Sequence, residues 1–146
     1  MELWELIARE SIRDLVARYN ANGDTGRFAQ VLELFAPDAV MELDGGRRYE
    51  GRDEIATIFT GARDGFADWD GPVYLRHFTA TLQIDLVDET HAKGRCYYTV
   101  FTSIGVDHWG RYVDEYGVVD GEWRFTRRKV TTDGRVEGSW ASRQEG

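Results

Sequence analysis

Tyr112-Val113-Asp114-Glu115-Tyr116-Gly117-Val118-Val119-Asp120-Gly121-Glu122-Trp123-Arg124-Phe125 decides the fold by its pattern. β-branched and aromatic residues fill both arms, and the Asp-Gly pair between them supplies the residue types that a two-residue hairpin turn needs. The reading is two antiparallel strands, 110–119 and 122–132, joined at Asp120-Gly121. Moving toward the N-terminus, the same texture runs back to Pro72. It gives two further long strands at about 73–87 and 92–104, with Asp88-Glu89 and the stretch 105–110 as connections.

Before Pro72 the period changes. Trp4, Ile7, Ala8, Ile12, Leu15 and Tyr19 recur at three- and four-residue steps, which predicts an amphipathic helix over 3–21. Asn22-Gly23-Asp24-Thr25-Gly26 breaks it. Phe28, Val31, Leu32 and Phe35 then restart the period in a shorter helix that Pro37 ends. A short strand at about 39–43 turns at Gly45-Gly46. A third helix follows from about Asp53, with Ile55, Ile58, Phe59 and Ala62 as its apolar stripe. Residues 135–146 are polar apart from Val136 and Trp140 and lack any period, so the expectation is a single domain over 1–134 and a loose C-terminal tail over 135–146. Helices first and a long meander second predict an α+β domain, with a curved antiparallel sheet of about five strands, three N-terminal helices on its concave face and a cavity between them.

The 146 residues, 42% hydrophobic and 30% charged, fit one compact domain able to bury a core. Eighteen Lys and Arg against 26 Asp and Glu give a net charge of -8. With no basic run longer than Arg127-Arg128-Lys129, read as an exposed edge, nucleic acid is not an expected partner. No run of 18 apolar residues could span a bilayer, and the first residues are acidic, so a cytoplasmic protein without membrane contact is expected. Cys96 stands alone in an apolar run and reads as a buried, inert thiol. The three histidines, His77, His91 and His108, are scattered and no zinc cluster forms with them. Phosphate-binding glycine loops and the Gly-x-Ser-x-Gly elbow are both missing, so no cofactor or metal is expected.

His77 draws attention because it falls inside the first long strand, where an ionisable ring is either a core histidine held by one hydrogen bond or a general base. Asp24, in the break between the first two helices, is either a helix cap or the carboxylate that fixes an imidazole. Alternation along the second long strand puts Tyr98 and Thr102 on one face, the candidate pocket face. Trp69, in the loop before the strand of His77, is either an ordinary packed loop residue or a candidate for closing over a ligand. His108, in a connection between strands, reads as a solvated loop residue or as a contact at the cavity rim, and His91 as surface.

Tyr19 with Asp24 five positions later, Arg76-His77-Phe78 opening the long strand, and Gly110-Arg111-Tyr112-Val113-Asp114 followed by Asp120-Gly121-Glu122-Trp123-Arg124-Phe125 together resemble the SnoaL-like family of the nuclear-transport-factor-2-like superfamily, over about residues 4–132. The resemblance implies a cystatin-like fold with a cone-shaped cavity. It also implies that His77 removes a proton from carbon, that Asp24 orients the ring and stabilises its charged form, and that Tyr19 polarises a carbonyl or assists the leaving group. The position where scytalone dehydratase carries a second catalytic histidine falls on Thr102 here, a departure from that enzyme. The implied activity is a cofactor-independent lyase, dehydratase-like, acting on a small, largely apolar, cyclic or polyketide-derived substrate. A noncatalytic small-molecule-binding protein or subunit is the alternative, and a polyketide cyclase or ketosteroid-type isomerase is a further one. A homodimer is expected through the uncovered sheet face, with a trimer as the alternative.

Overall fold

The computed structural model describes residues 1–144. Its elements are α1 (Leu3–Gly23), α2 (Phe28–Glu33), β1 (Phe35–Glu42), β2 (Arg48–Glu50), α3 (Gly51–Asp64), β3 (Arg76–Leu86), β4 (His91–Thr102), β5 (Gly105–Val119) and β6 (Glu122–Arg135), with short 3-10 turns at Asp44–Gly46 and Trp140–Gln144. The Asp-Gly hairpin forms as its sequence predicts. Val119 pairs with Glu122, and Asp120 and Gly121 both hold positive φ, 51° and 81°, the backbone that matches the twist of the two strands.

The six strands make one curved, unclosed sheet in the order β2-β1-β6-β5-β4-β3, with the three helices completing a mixed α+β fold. The expected curved sheet forms with six strands; every neighbouring pair is antiparallel except β1 and β6, which run parallel. The second helix stops at Glu33 and Phe35 already belongs to β1, with Pro37 inside the strand rather than at a helix end. Proline has no N–H to give to a ladder. It sits where the β1–β6 register slips between Phe35 and Val40.

The inner face of α1 buries Ala8, Ile12, Leu15, Val16 and Tyr19, and α3 adds Ile55 and Phe59. Fully burying a side chain of the Leu, Ile or Phe type stabilises by about 1.5 to 3 kcal/mol, so this stripe holds the helices on the sheet. Aromatic edges lock the centre: Tyr19 meets Phe35 at 6.0 Å, Phe59 at 5.9 Å and Phe125 at 5.7 Å between ring centroids.

Two further expectations are corrected here. Strand alternation turns the middle residue of Arg127-Arg128-Lys129 inward, so Arg128 is fully buried instead of lying on an exposed edge. Its Nε and Nη2 donate to the two oxygens of Asp114 at 2.8 and 2.9 Å, and its guanidinium lies 3.8 to 4.4 Å from the ring centres of Tyr112, Tyr19 and Phe125. Of the expected tail, Arg135 ends β6 and residues 136–144 pack on the domain, while residues 145–146 lie outside the described residues. Ser139 and Trp140 are buried, and Trp140 stacks on Phe66 with centroids 5.3 Å apart. No helix among the described residues is long and apolar enough to cross a membrane.

Candidate active site

A cavity of about 490 Å³ lies between the helices and the concave face of the sheet. That is the size of a pocket for a small organic molecule. Phe28, Met41, Leu43, Ile58, Phe59 and Val130 give it a largely apolar lining, into which a few polar groups project.

Asp24 enters from the end of α1. Its own N–H caps the helix by donating to the Asn20 carbonyl at 2.8 Å, and the N-cap of α2 is Arg27, so the Asp24 side chain serves neither helix. It reaches instead across to β3, the edge strand of the sheet. Asp24 Oδ2 accepts the backbone N–H of His77 at 2.8 Å, and Asp24 Oδ1 lies 2.6 Å from His77 Nδ1. Both oxygens are thus held by one residue, with the Asp24 and His77 side chains only 10% and 19% exposed. With Nδ1 occupied by the carboxylate, Nε2 is the ring nitrogen left for a ligand.

A second imidazole stands on the same wall. His108 Nδ1 lies 2.8 Å from Asp107 Oδ1, and both residues are buried. Asp107 also accepts Ser139 Oγ–H at 2.5 Å, the Trp140 backbone N–H at 3.0 Å and Thr102 Oγ1–H at 3.0 Å. Burial alone would raise the Asp107 carboxyl, but these hydrogen bonds outweigh it and hold it below its ordinary value. Burial lowers the His108 pKa; Asp107 opposes this, and the charges of His77 and Arg135 reinforce it. The expectation of a solvated loop at His108 is therefore corrected. β5 begins at Gly105, and β4 is joined to it by Ser103 and Ile104 alone.

The cause is a β-bulge. Phe101 pairs with Val106 and Val100 with His108, so Asp107 is an extra residue on β5. It breaks the alternation and lets two consecutive side chains, Asp107 and His108, both face inward. Polar residues beside a glycine mimic a loop in sequence, and nothing local marks the extra residue, which is why the sequence places His108 no nearer the pocket than its rim.

Tyr19 and Tyr98 both line the cavity. Burial pushes each phenol up to about 12, so both hydroxyls stay protonated at neutral pH. Tyr98 donates to the Thr131 carbonyl at 3.2 Å, and its ring lies between the two imidazoles, 6.1 Å from each. A Cβ on Gly110 would stand 2.8 Å from that hydroxyl, so the glycine makes room for Tyr98. Thr102 shares the inner face with Tyr98, as alternation predicts, yet it stands behind the lining and supports Asp107. Trp69 is also outside the lining; its Nε1 donates to Ser103 Oγ at 2.9 Å and its ring packs edge-on to Phe66. His91 is exposed, beside Asp88. Cys96 is buried, and burial pushes its thiol up to about 11. Among the described residues no three His, Cys, Asp or Glu side chains converge as ligands of a metal ion would.

Residues 4–129 match the SnoaL-like domain. No curated protein sequence matches the chain. Among solved structures, a protein assigned as a scytalone dehydratase from Novosphingobium aromaticivorans superposes with a TM-score of 0.80, at 22% identity over 94% of this chain and 91% of its own. An NTF2-like protein with a cystatin-like fold from the same organism gives 0.74, at 25% identity over 96% of both chains. Hexachlorocyclohexane dehydrochlorinase LinA-type3 from Novosphingobium barchaimii gives 0.77, at 18% identity over 93% of both.

Proposed function

The chain belongs to the SnoaL-like domain family, and from that premise we propose that it is a cofactor-independent lyase that takes a proton from carbon and expels a leaving group. The observation that carries this reading is the 2.6 Å contact of His77 Nδ1 with Asp24 on the wall of a largely apolar cavity. A neutral His77 held in this way presents Nε2 as the base. As the C–H bond breaks, its proton passes to Nε2, the electron pair forms the new double bond, and the bond to the leaving group breaks. Asp24 stabilises the imidazolium so formed. Tyr19, kept protonated by burial, is a donor for a carbonyl or a departing oxygen.

Likeness in fold to a dehydratase and a dehydrochlorinase supports an elimination reaction. The cavity supports a small, largely apolar substrate, cyclic or polyketide-derived compounds among them, with Tyr98 as a contact. A cyclase or isomerase using the carboxylate as base is less well supported, because both Asp24 oxygens are engaged by His77. The test is water or halide elimination from a panel of alicyclic β-hydroxy ketones and chlorinated rings. His77→Gln should slow turnover about a hundred- to ten-thousandfold and Asp24→Asn should follow it. Tight ligand binding with no turnover by the wild type would point instead to a noncatalytic binding protein.

A further inference from the structure

The cavity wall holds two imidazoles, each with Nδ1 on an aspartate, and the proposed reaction uses only one of them. His77, Val100 and His108 form a single row across β3, β4 and β5, since Val100 pairs with His77 on one side and with His108 on the other. Two strand spacings separate the outer members, about 10 Å between backbones. Their side chains extend into one pocket with the Tyr98 ring between them. A molecule seated against His77 therefore presents its neighbouring substituent to His108.

The state of His108 follows from the groups around it. Asp107 receives Ser139 Oγ–H, the Trp140 N–H and Thr102 Oγ1–H, an environment suited only to an ionised carboxylate. A carboxylate accepts and does not donate, so His108 Nδ1 must carry the hydrogen, and in the neutral ring Nε2 is then a bare acceptor. No protein hydrogen bond to Nε2 is seen among the described residues. Burial keeps the ring neutral, so the acceptor persists through the neutral pH range.

We propose that His108 Nε2 is the receptor for a hydroxyl group of the substrate, so that this pocket selects an alcohol over the matching hydrocarbon or halide. A hydroxyl satisfies the buried acceptor; a hydrogen or a chlorine leaves it unpaired. In the elimination, and resting on the lyase reading, the carbon-bound proton goes to His77 Nε2, and the C–H electron pair forms the double bond as the C–O bond breaks with its own pair on oxygen. The proton on His77 Nε2 then transfers to that oxygen to release water. His108 holds the oxygen's own hydrogen throughout, and His77 ends neutral as it began. Asp107 and Thr102 are positioning residues in this scheme, acting through the ring of His108.

The experiment needs no turnover, so its outcome is separate from that of the lyase reading. Binding of 1-tetralol and of tetralin is measured to the protein labelled with ¹⁵N at histidine. Tetralol should move the His108 Nε2 resonance upfield, the mark of an acceptor taking a hydrogen bond, whereas tetralin should not. The wild type should favour tetralol, and His108→Phe should lower the tetralol-to-tetralin affinity ratio by about tenfold, the effect of one neutral hydrogen bond. His108→Gln, which keeps an acceptor, should restore part of the ratio. An unmoved Nε2 resonance on tetralol binding, failure of tetralol to bind where tetralin does, or an unaltered ratio in a folded His108→Phe would each overturn the proposal.

Discussion

At the scale of single residues, the carboxylate of Asp24 does more than sit near a histidine. It binds the backbone N–H and the ring of the same residue, so the position and the rotation of His77 are set together. Sequence could offer Asp24, His77 and Tyr19 as candidates, but a separation of 53 residues says nothing about distance, and only the family resemblance joined them. Arg128 teaches the converse. Its place in a basic triplet made it look solvated, while strand alternation with Asp114 on the neighbouring strand made it a buried ion pair. Asp114→Ala would strand a buried guanidinium, and urea unfolding should show a loss of about 3 to 5 kcal/mol. A double replacement of Asp114 and Arg128 by apolar residues of similar volume should recover much of that loss, because the remaining cost is that of an unpaired charge.

At the scale of elements, the long helix, the third helix and the four C-terminal strands were legible, since each has enough residues for its period to show. The ends were less so. β1 begins four residues earlier than its sequence suggests because a proline can be housed at a register slip, and β5 begins five residues earlier because a bulge hides its pattern. The bulge has a measurable consequence for stability. An unfolded His108 takes up a proton near its ordinary value of 6.5, whereas the folded one does so only at lower pH. The unfolded state then binds more protons between those two values, so stability is complete above about pH 6.5 and falls as the pH drops below it. Thermal unfolding should show Tm declining from pH 7 toward pH 5, and His108→Phe should flatten that decline. An equal decline in the variant would mean that another group is responsible.

At the scale of the whole molecule, the helices cover only the concave face. The opposite face of β3, β4 and β5 leaves Phe78, Tyr97, Trp109 and Val113 exposed, an apolar patch of the kind that marks an interaction site. We propose a second copy of this chain as its occupant, and sedimentation should show self-association in the wild type that Phe78→Asp combined with Tyr97→Lys abolishes without loss of fold. The covered face carries the chemistry, and its premise is that Asp24 fixes His77 as the tautomer with hydrogen on Nδ1 and a bare Nε2 toward the cavity. The most direct test is ¹⁵N NMR of the His77 ring, at a pH where imidazole is neutral, in the wild type and in Asp24→Asn. The wild type should show a protonated Nδ1 and an unprotonated Nε2, giving way in the variant to a mixture of tautomers. A wild-type ring with its hydrogen on Nε2, or a tautomer unchanged by Asp24→Asn, would contradict that premise.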